Sequence, residues 1–266
     1  MKIGKATVPR SAITTSNADT IVVRGQDLSR GLIGEVNFAD YFHFLLTGRK
    51  PDAAASAVLT ATLVAIAAAG LVPSVQAGRM TYAAAAEALQ GAVAAGILGC
   101  GSVILGASET AGRLFVEIDE EAKKRGGDLG EAAPAGVAGR RERKQAIPGY
   151  GHPEHKERDR RVDALFEVSR KAGGGQHFVE IAQLVEDLIP AIVGKDLRLN
   201  VSAAIPAVLL GVGFPVGALK GVPILARTAS LIAHLNEEMS DPIGFALSYQ
   251  ATREYEYTGA QPEAAQ

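Results

Sequence analysis

Apolar positions recur at helical spacing over most of the chain, and strand-like runs are confined to its beginning. Ile21-Val22-Val23, with Gly25-Gln26-Asp27 after it, reads as a short strand and a turn. Asn37 is placed to cap a helix over Phe38 to Leu46, with Gly48 as its stop. Further helices are expected at about 53–69, 82–95, 108–125, 160–171 and 178–193, then at 202–210, 215–221 and 224–238. Gly173-Gly174-Gly175 separates two of these helices, and Gly96, Gly99, Gly101 and Gly106 punctuate another segment. Gly126 to Gly139 is rich in Gly, Ala and Pro and is expected to be a mobile loop. Residues 1–20 read as polar and irregular with a short hairpin, and the tail after Tyr257 as frayed. The expected fold class is mainly α.

Composition narrows the classes. A chain of 266 residues is long enough for a large core in one or two domains. Hydrophobic residues make up 47% and charged residues 21%, the balance of a soluble globular protein. A net charge of −2 gives no reason to expect nucleic acid or an anionic membrane as partner. Cys100 is the single cysteine, so neither a disulfide framework nor a Cys-rich metal site is expected. The first ten residues hold no long apolar run, so no secretory signal is expected and the expected compartment is the cytoplasm. Ala53 to Leu71 carries no charge and approaches the length of a membrane span. Much of it is alanine, and Pro51 and Gly70-Leu71-Val72-Pro73 bracket it, so it reads as a packed core helix.

The most informative stretch is Ile147-Pro148-Gly149-Tyr150-Gly151-His152-Pro153-Glu154-His155-Lys156, followed by Asp159 and Arg161. Glycines let a ligand approach the main chain. The basic run Arg140, Arg141, Arg143, Lys144 just upstream is of a kind that meets phosphates, although a solvated charge run reads the same way. Of the other histidines, His43 and His234 read as core or interface residues and His177 as exposed. Cys100 reads as a small buried residue rather than a nucleophile. His152 and His155 have no carboxylate or cysteine cluster beside them, so no metal is expected.

Four ordered segments resemble the citrate synthase superfamily. The Gly149–Arg161 stretch is similar to its G-[FY]-G-H-x-x-[YH]-K-x-x-D-x-R loop, and Ala226-Arg227-Thr228 through Ala233-His234 to its A-R-T-x-G-x-x-A-H helix. Leu32-Ile33-Gly34, Phe38-Ala39-Asp40 and Leu45 through Pro51 resemble the opening segment, and Leu199-Asn200-Val201-Ser202 sits where the family has N-V-D. The chain is short for a citrate synthase and looks most like the compact citryl-CoA lyase-type proteins. The resemblance implies a citrate synthase-like fold, with residues 1–106 and 199–266 as a large helical domain and 107–198 as a small one. It also implies a homodimer.

The resemblance assigns roles to particular residues. His152, Arg161 and Arg227 match the histidine and two arginines that hold the oxo-dicarboxylate, and His152 is then the candidate catalytic group. Asn200 matches a position near the thioester arm of coenzyme A. The backbone of Gly149, Tyr150 and Gly151 is expected to meet the adenine, with Arg143 and Lys144 near the phosphates. Three family residues are replaced: Ile104 falls at the enolate-binding histidine, Ser202 at the catalytic aspartate, and a further histidine of an upstream turn would fall in Ala68-Ala69-Gly70. Isoleucine donates no hydrogen bond, and serine is a poor base. Glu109, Ser102, Ser108 and His155 are the possible substitutes. The implied function is citryl-CoA lyase-like cleavage of a hydroxy-polycarboxyl-CoA thioester to an acyl-CoA and an oxo acid such as oxaloacetate. Coenzyme A enters as part of the substrate, and no permanent cofactor is expected. The alternatives are a divergent CoA-thioester lyase or hydrolase on another acyl group, and a non-catalytic CoA or metabolite binder.

Overall fold

A computed structural model describes residues 8–102, 104–151 and 159–260. Its regular structure is almost all helical, as the periodicity implies. Three short antiparallel strands open it: β1 (Thr14–Ser16), β2 (Ile21–Val23) and β3 (Gln26–Asp27), in the order β1-β2-β3. Twelve α-helices follow among the described residues.

The chain forms two compact units. The first comprises residues 1–62 and 108–219, the second 63–107 and 220–266. The first holds the strands, α1 (Leu28–Gly31), α2 (Phe38–Thr47), most of α3 (Ala53–Ala67), α6 (Gly106–Lys124), α7 (Leu129–Glu142), α8 (Arg160–Lys171), α9 (His177–Val193) and α10 (Val201–Gly211). Helix α10 is its apolar centre. Ala203 through Leu209 are buried without interruption, so this helix is hydrophobic on every side. Helix α2 keeps its expected ends: the Asn37 side chain accepts from Asp40 N–H, and Gly48 takes the left-handed conformation that stops it. His43 is a core residue there, its Nδ1 lying 3.1 Å from the Arg49 carbonyl oxygen.

The second unit holds α4 (Pro73–Ala84), α5 (Leu89–Leu98), α11 (Gly221–Ser240) and α12 (Gly244–Glu254). A single helix over 82–95 is not what forms. Proline opens α4 at Pro73, and the alanine run breaks at Ala85 (φ −146°, ψ 68°) and Ala88 (φ −109°, ψ 59°). Alanine favours helix, yet packing overrides that preference. A Cβ on Gly96 of α5 would lie 2.9 Å from the Ser74 carbonyl oxygen of α4, so the two backbones touch as a hairpin. Beneath them Arg79, 3% exposed, forms ion pairs with Glu237 and with Glu238, itself 1% exposed. Glu238 also accepts from the N–H groups of Ile243 and Gly244, which fixes the start of α12.

Residues 129–142 are helical and not a loop. Asp128 caps α7 by accepting from Gly130 N–H, and the helix buries the stripe Ala132, Ala133, Val137, Arg140. The expected turn contracts to Gly126 and Gly127, both at positive φ. The core helix expected up to residue 69 ends at Ala67 and spans 15 residues. Among the described residues only 216–240 is long and apolar enough to cross a membrane, and it carries the partners of Arg79.

Candidate functional site

Three chain segments of the first unit converge on the N-terminus of α10. Tyr150 and Leu199 form an antiparallel bridge. Gly151 N–H donates to the Arg198 carbonyl at 2.7 Å, and Asn200 N–H to the Gly149 carbonyl at 2.9 Å. A bridge of this kind turns the N–H and C=O of Tyr150 away from Leu199. Asn200 then acts twice. Its Oδ1 accepts from Ser202 N–H at 2.9 Å and caps α10, while its Nδ2 donates to the Gly151 carbonyl at 2.7 Å.

Gly149 can only be glycine. Its φ is +85°, and a Cβ there would lie 2.5–2.8 Å from Cβ, N and Cα of Ala203. The glycine corner is therefore pressed onto the first turn of α10. Tyr150 is buried, 6% exposed, and its hydroxyl donates to the Ala182 carbonyl at 2.7 Å. Burial pushes its phenol well above the ordinary range, and the charge of Glu186 adds to the effect. The ring anchors the corner on α9. The Gly149 carbonyl and both polar groups of Gly151, offered to a ligand by the sequence reading, are spent within the chain.

The third segment begins at Asp159, the N-cap of α8. Its Oδ1 accepts from Arg161 N–H at 3.1 Å and from Arg161 Nε at 3.0 Å. Its Oδ2 accepts from Arg161 Nη2 at 2.8 Å and from Val201 N–H at 3.2 Å. The carboxylate is 7% exposed and the arginine side chain 35%. Burial alone would raise the Asp159 pKa. The hydrogen bonds from the Arg161 side chain and backbone outweigh it, with Val201 N–H helping, and hold it below the usual carboxylate value. Helix N-termini attract anions. Here that place is filled from within: Asp159 takes Val201 N–H, Asn200 takes Ser202 N–H, and the Asn200 carbonyl accepts from Ala203 and Ala204.

The basic run divides. Arg140 turns inward, 9% exposed, with Nη2 3.7 Å from Glu117. Arg141, Arg143 and Lys144 are exposed at the C-terminus of α7. Lys144 has φ +55° and its N–H closes on the Arg141 carbonyl at 2.9 Å. Three full positive charges there outweigh the partial negative charge of a helix C-terminus, equivalent to about half a charge. The run remains suited to phosphates.

The other candidates fall as follows. Arg227 is half-buried on α11, in the second unit. Ile104 is half-buried in the turn before α6, its N–H bonded to the Gly101 carbonyl. Ser202 is half-buried in the first turn of α10. His152 and His155 lie outside the described residues. His177 is half-exposed, with Nε2 2.7 Å from Oδ1 of buried Asp119. His234 belongs to a cavity of about 420 Å3 in the second unit, lined mainly by alanines with Ser230 and Glu237. No metal-binding group of His, Cys, Asp and Glu occurs among the described residues. Asp159 is the residue whose part the sequence reading missed, although an aspartate just before Arg160-Arg161-Val162 is a helix-start signal.

The described residues thus gather a glycine corner, a capping asparagine and an aspartate–arginine pair on the N-terminus of one helix. Comparison gives the assignment. The model for the citrate synthase C-terminal domain matches residues 5–244, and the chain belongs to the citrate synthase family. The structure is similar to that of citryl-CoA lyase from Hydrogenobacter thermophilus, with 30% identity, a TM-score of 0.85 and 98% of each chain covered. It is also similar to ATP citrate lyase from Methanothrix soehngenii in complex with citrate and coenzyme A, with 22% identity and a TM-score of 0.77. That match covers 99% of this chain but 44% of the other, so this chain spans less than half of it. Citrate synthase from Thermotoga maritima matches at 19% identity and a TM-score of 0.63, over 87% of this chain and 60% of that one. A search of curated proteins gives no match.

Proposed function

We propose that the protein cleaves a citryl-CoA-type thioester to acetyl-CoA and oxaloacetate. The observation that carries the proposal is the end-to-end similarity to a citryl-CoA lyase at 30% identity. The Asp159–Arg161 pair supports it, because it leaves an arginine side chain 35% exposed beside the N-terminus of α10. In the proposed reaction a base removes the hydroxyl proton of the tertiary alcohol. Its electrons form the ketone, the carbon–carbon bond breaks, and the released pair becomes the thioester enolate. A proton then adds at the enolate carbon. His152 is the proposed base, and Arg161 and Arg227 are the proposed holders of the carboxylates. Arg143 and Lys144 are the proposed partners of the CoA phosphates, with Asn200 ordering the loop beside the thioester arm. The proposed setting is a cytoplasmic homodimer.

Ile104 favours a second reading, in which a related thioester with a different acyl group is the substrate. An aliphatic side chain cannot hold an enolate oxygen by hydrogen bonding. The test is incubation with citryl-CoA and measurement of released acetyl-CoA and oxaloacetate. Both products are expected, and His152→Ala is expected to abolish them. The same protein is expected to make negligible free citrate from acetyl-CoA and oxaloacetate, since that requires hydrolysis of the thioester as well as formation of the carbon–carbon bond. No cleavage of citryl-CoA, or undiminished cleavage by His152→Ala, overturns the proposal.

A further inference from the structure

We infer that Asp159 is the positioning residue of the carboxylate site, holding Arg161 side-on so that its end-on edge is the one offered to ligand. The inference rests on the reading of Arg161 as a carboxylate holder. A guanidinium has two forks that match a carboxylate: the side fork of Nε and one Nη, and the end fork of the two Nη groups. Asp159 occupies the side fork with both oxygens, at 3.0 and 2.8 Å. Nη1 makes no hydrogen bond among the described residues, and the side chain keeps 35% of its surface open. Among the described residues the end fork is therefore the open one.

The support behind Asp159 is rigid. Its oxygens also take the N–H groups that begin α8 and α10, so the carboxylate is fixed to two helices at once. Its low pKa, set by those bonds against its burial, keeps it ionised across the neutral range. An arginine held this way loses little freedom when a ligand docks.

A role in holding α8 and α10 together would by itself explain the same bonds, and a double-mutant cycle separates the two. Asp159→Asn keeps an N-cap acceptor but sets an amide against the guanidinium. Citrate, oxaloacetate and succinate binding would be measured by calorimetry on the full chain, for wild type, Asp159→Asn, Arg161→Ala and the double variant. We expect Asp159→Asn to weaken binding roughly tenfold, with a thermal midpoint within about 3 °C of wild type. In the Arg161→Ala background the same change should cost nothing further. Unaltered affinity in Asp159→Asn overturns the inference, and so does an equal loss with and without Arg161. Carboxylate binding that follows the expected cycle, without citryl-CoA cleavage, leaves the positioning role standing and removes only the lyase reading. Absence of binding to all three acids overturns both.

Discussion

Replacing Gly149 with alanine tests how tightly the glycine corner is pressed onto α10. Two separate costs arise. Alanine at φ +85° is strained by about 1 kcal/mol relative to glycine. The new Cβ would also stand 2.5–2.8 Å from three Ala203 atoms, two of them backbone, so neither neighbour can rotate away. Overpacking of that kind costs roughly 1–3 kcal/mol. The total is about 2–4 kcal/mol, a large part of the 5–15 kcal/mol typical of a folded protein. Gly194→Ala isolates the first cost. Gly194 ends α9 at φ +75° with no atom within 4 Å of its notional Cβ, so only strain acts there. Urea unfolding of both variants and the wild type gives the comparison. We expect Gly194→Ala to lose about 1 kcal/mol and Gly149→Ala at least that much again. Equal losses would refute the reasoning, because the corner would then have room that the geometry denies it.

Other outcomes follow from charge. Asp119 is 6% exposed, and burial alone would raise its pKa, but Lys123 and His177 hold it below the ordinary 3.8. Its contribution to stability is therefore complete above 3.8 and is lost as pH falls through the lower folded value; a calorimetric pH series should show a shallower acid limb in Asp119→Asn. Glu238→Ala leaves Arg79 buried with one largely exposed partner and strips the acceptor from Ile243 and Gly244 N–H. It should cost roughly 3–5 kcal/mol by chemical denaturation, and a loss below about 1 kcal/mol would show the network to be dispensable.

Legibility in the sequence followed the kind of force at work. Helix α2 could be read to its ends because Asn37 and Gly48 act within one turn of chain. The break between α4 and α5 could not, because Ala83 through Ala88 carries no local stop signal; the hairpin exists because Gly78 and Gly96 let two backbones meet. Helix α7 was hidden by composition. Glycine and proline normally interrupt helices, yet a Cβ on Gly136 would lie 2.8 Å from Ile118, so the glycine serves close approach to α6. At the site, residue types pointed to Arg161 and Asn200, but not to the direction of their bonds. The glycines around Tyr150 suggested backbone open to a ligand but gave no partner for the ring, whose hydroxyl reaches Ala182, thirty-two residues further along the chain.

The convergence on Asn200 and Val201 also explains why Ser202 need not disrupt the framework around it. Ser202 N–H donates to Asn200 Oδ1 at 2.9 Å and Val201 N–H to Asp159 Oδ2 at 3.2 Å, so the first turn of α10 is tied through its backbone. The framework that holds Arg161 is thus independent of the side chain at 202. A Ser202→Ala variant is therefore expected to leave the Asp159–Arg161 pair and the Asn200 cap intact, since neither uses the Ser202 side chain.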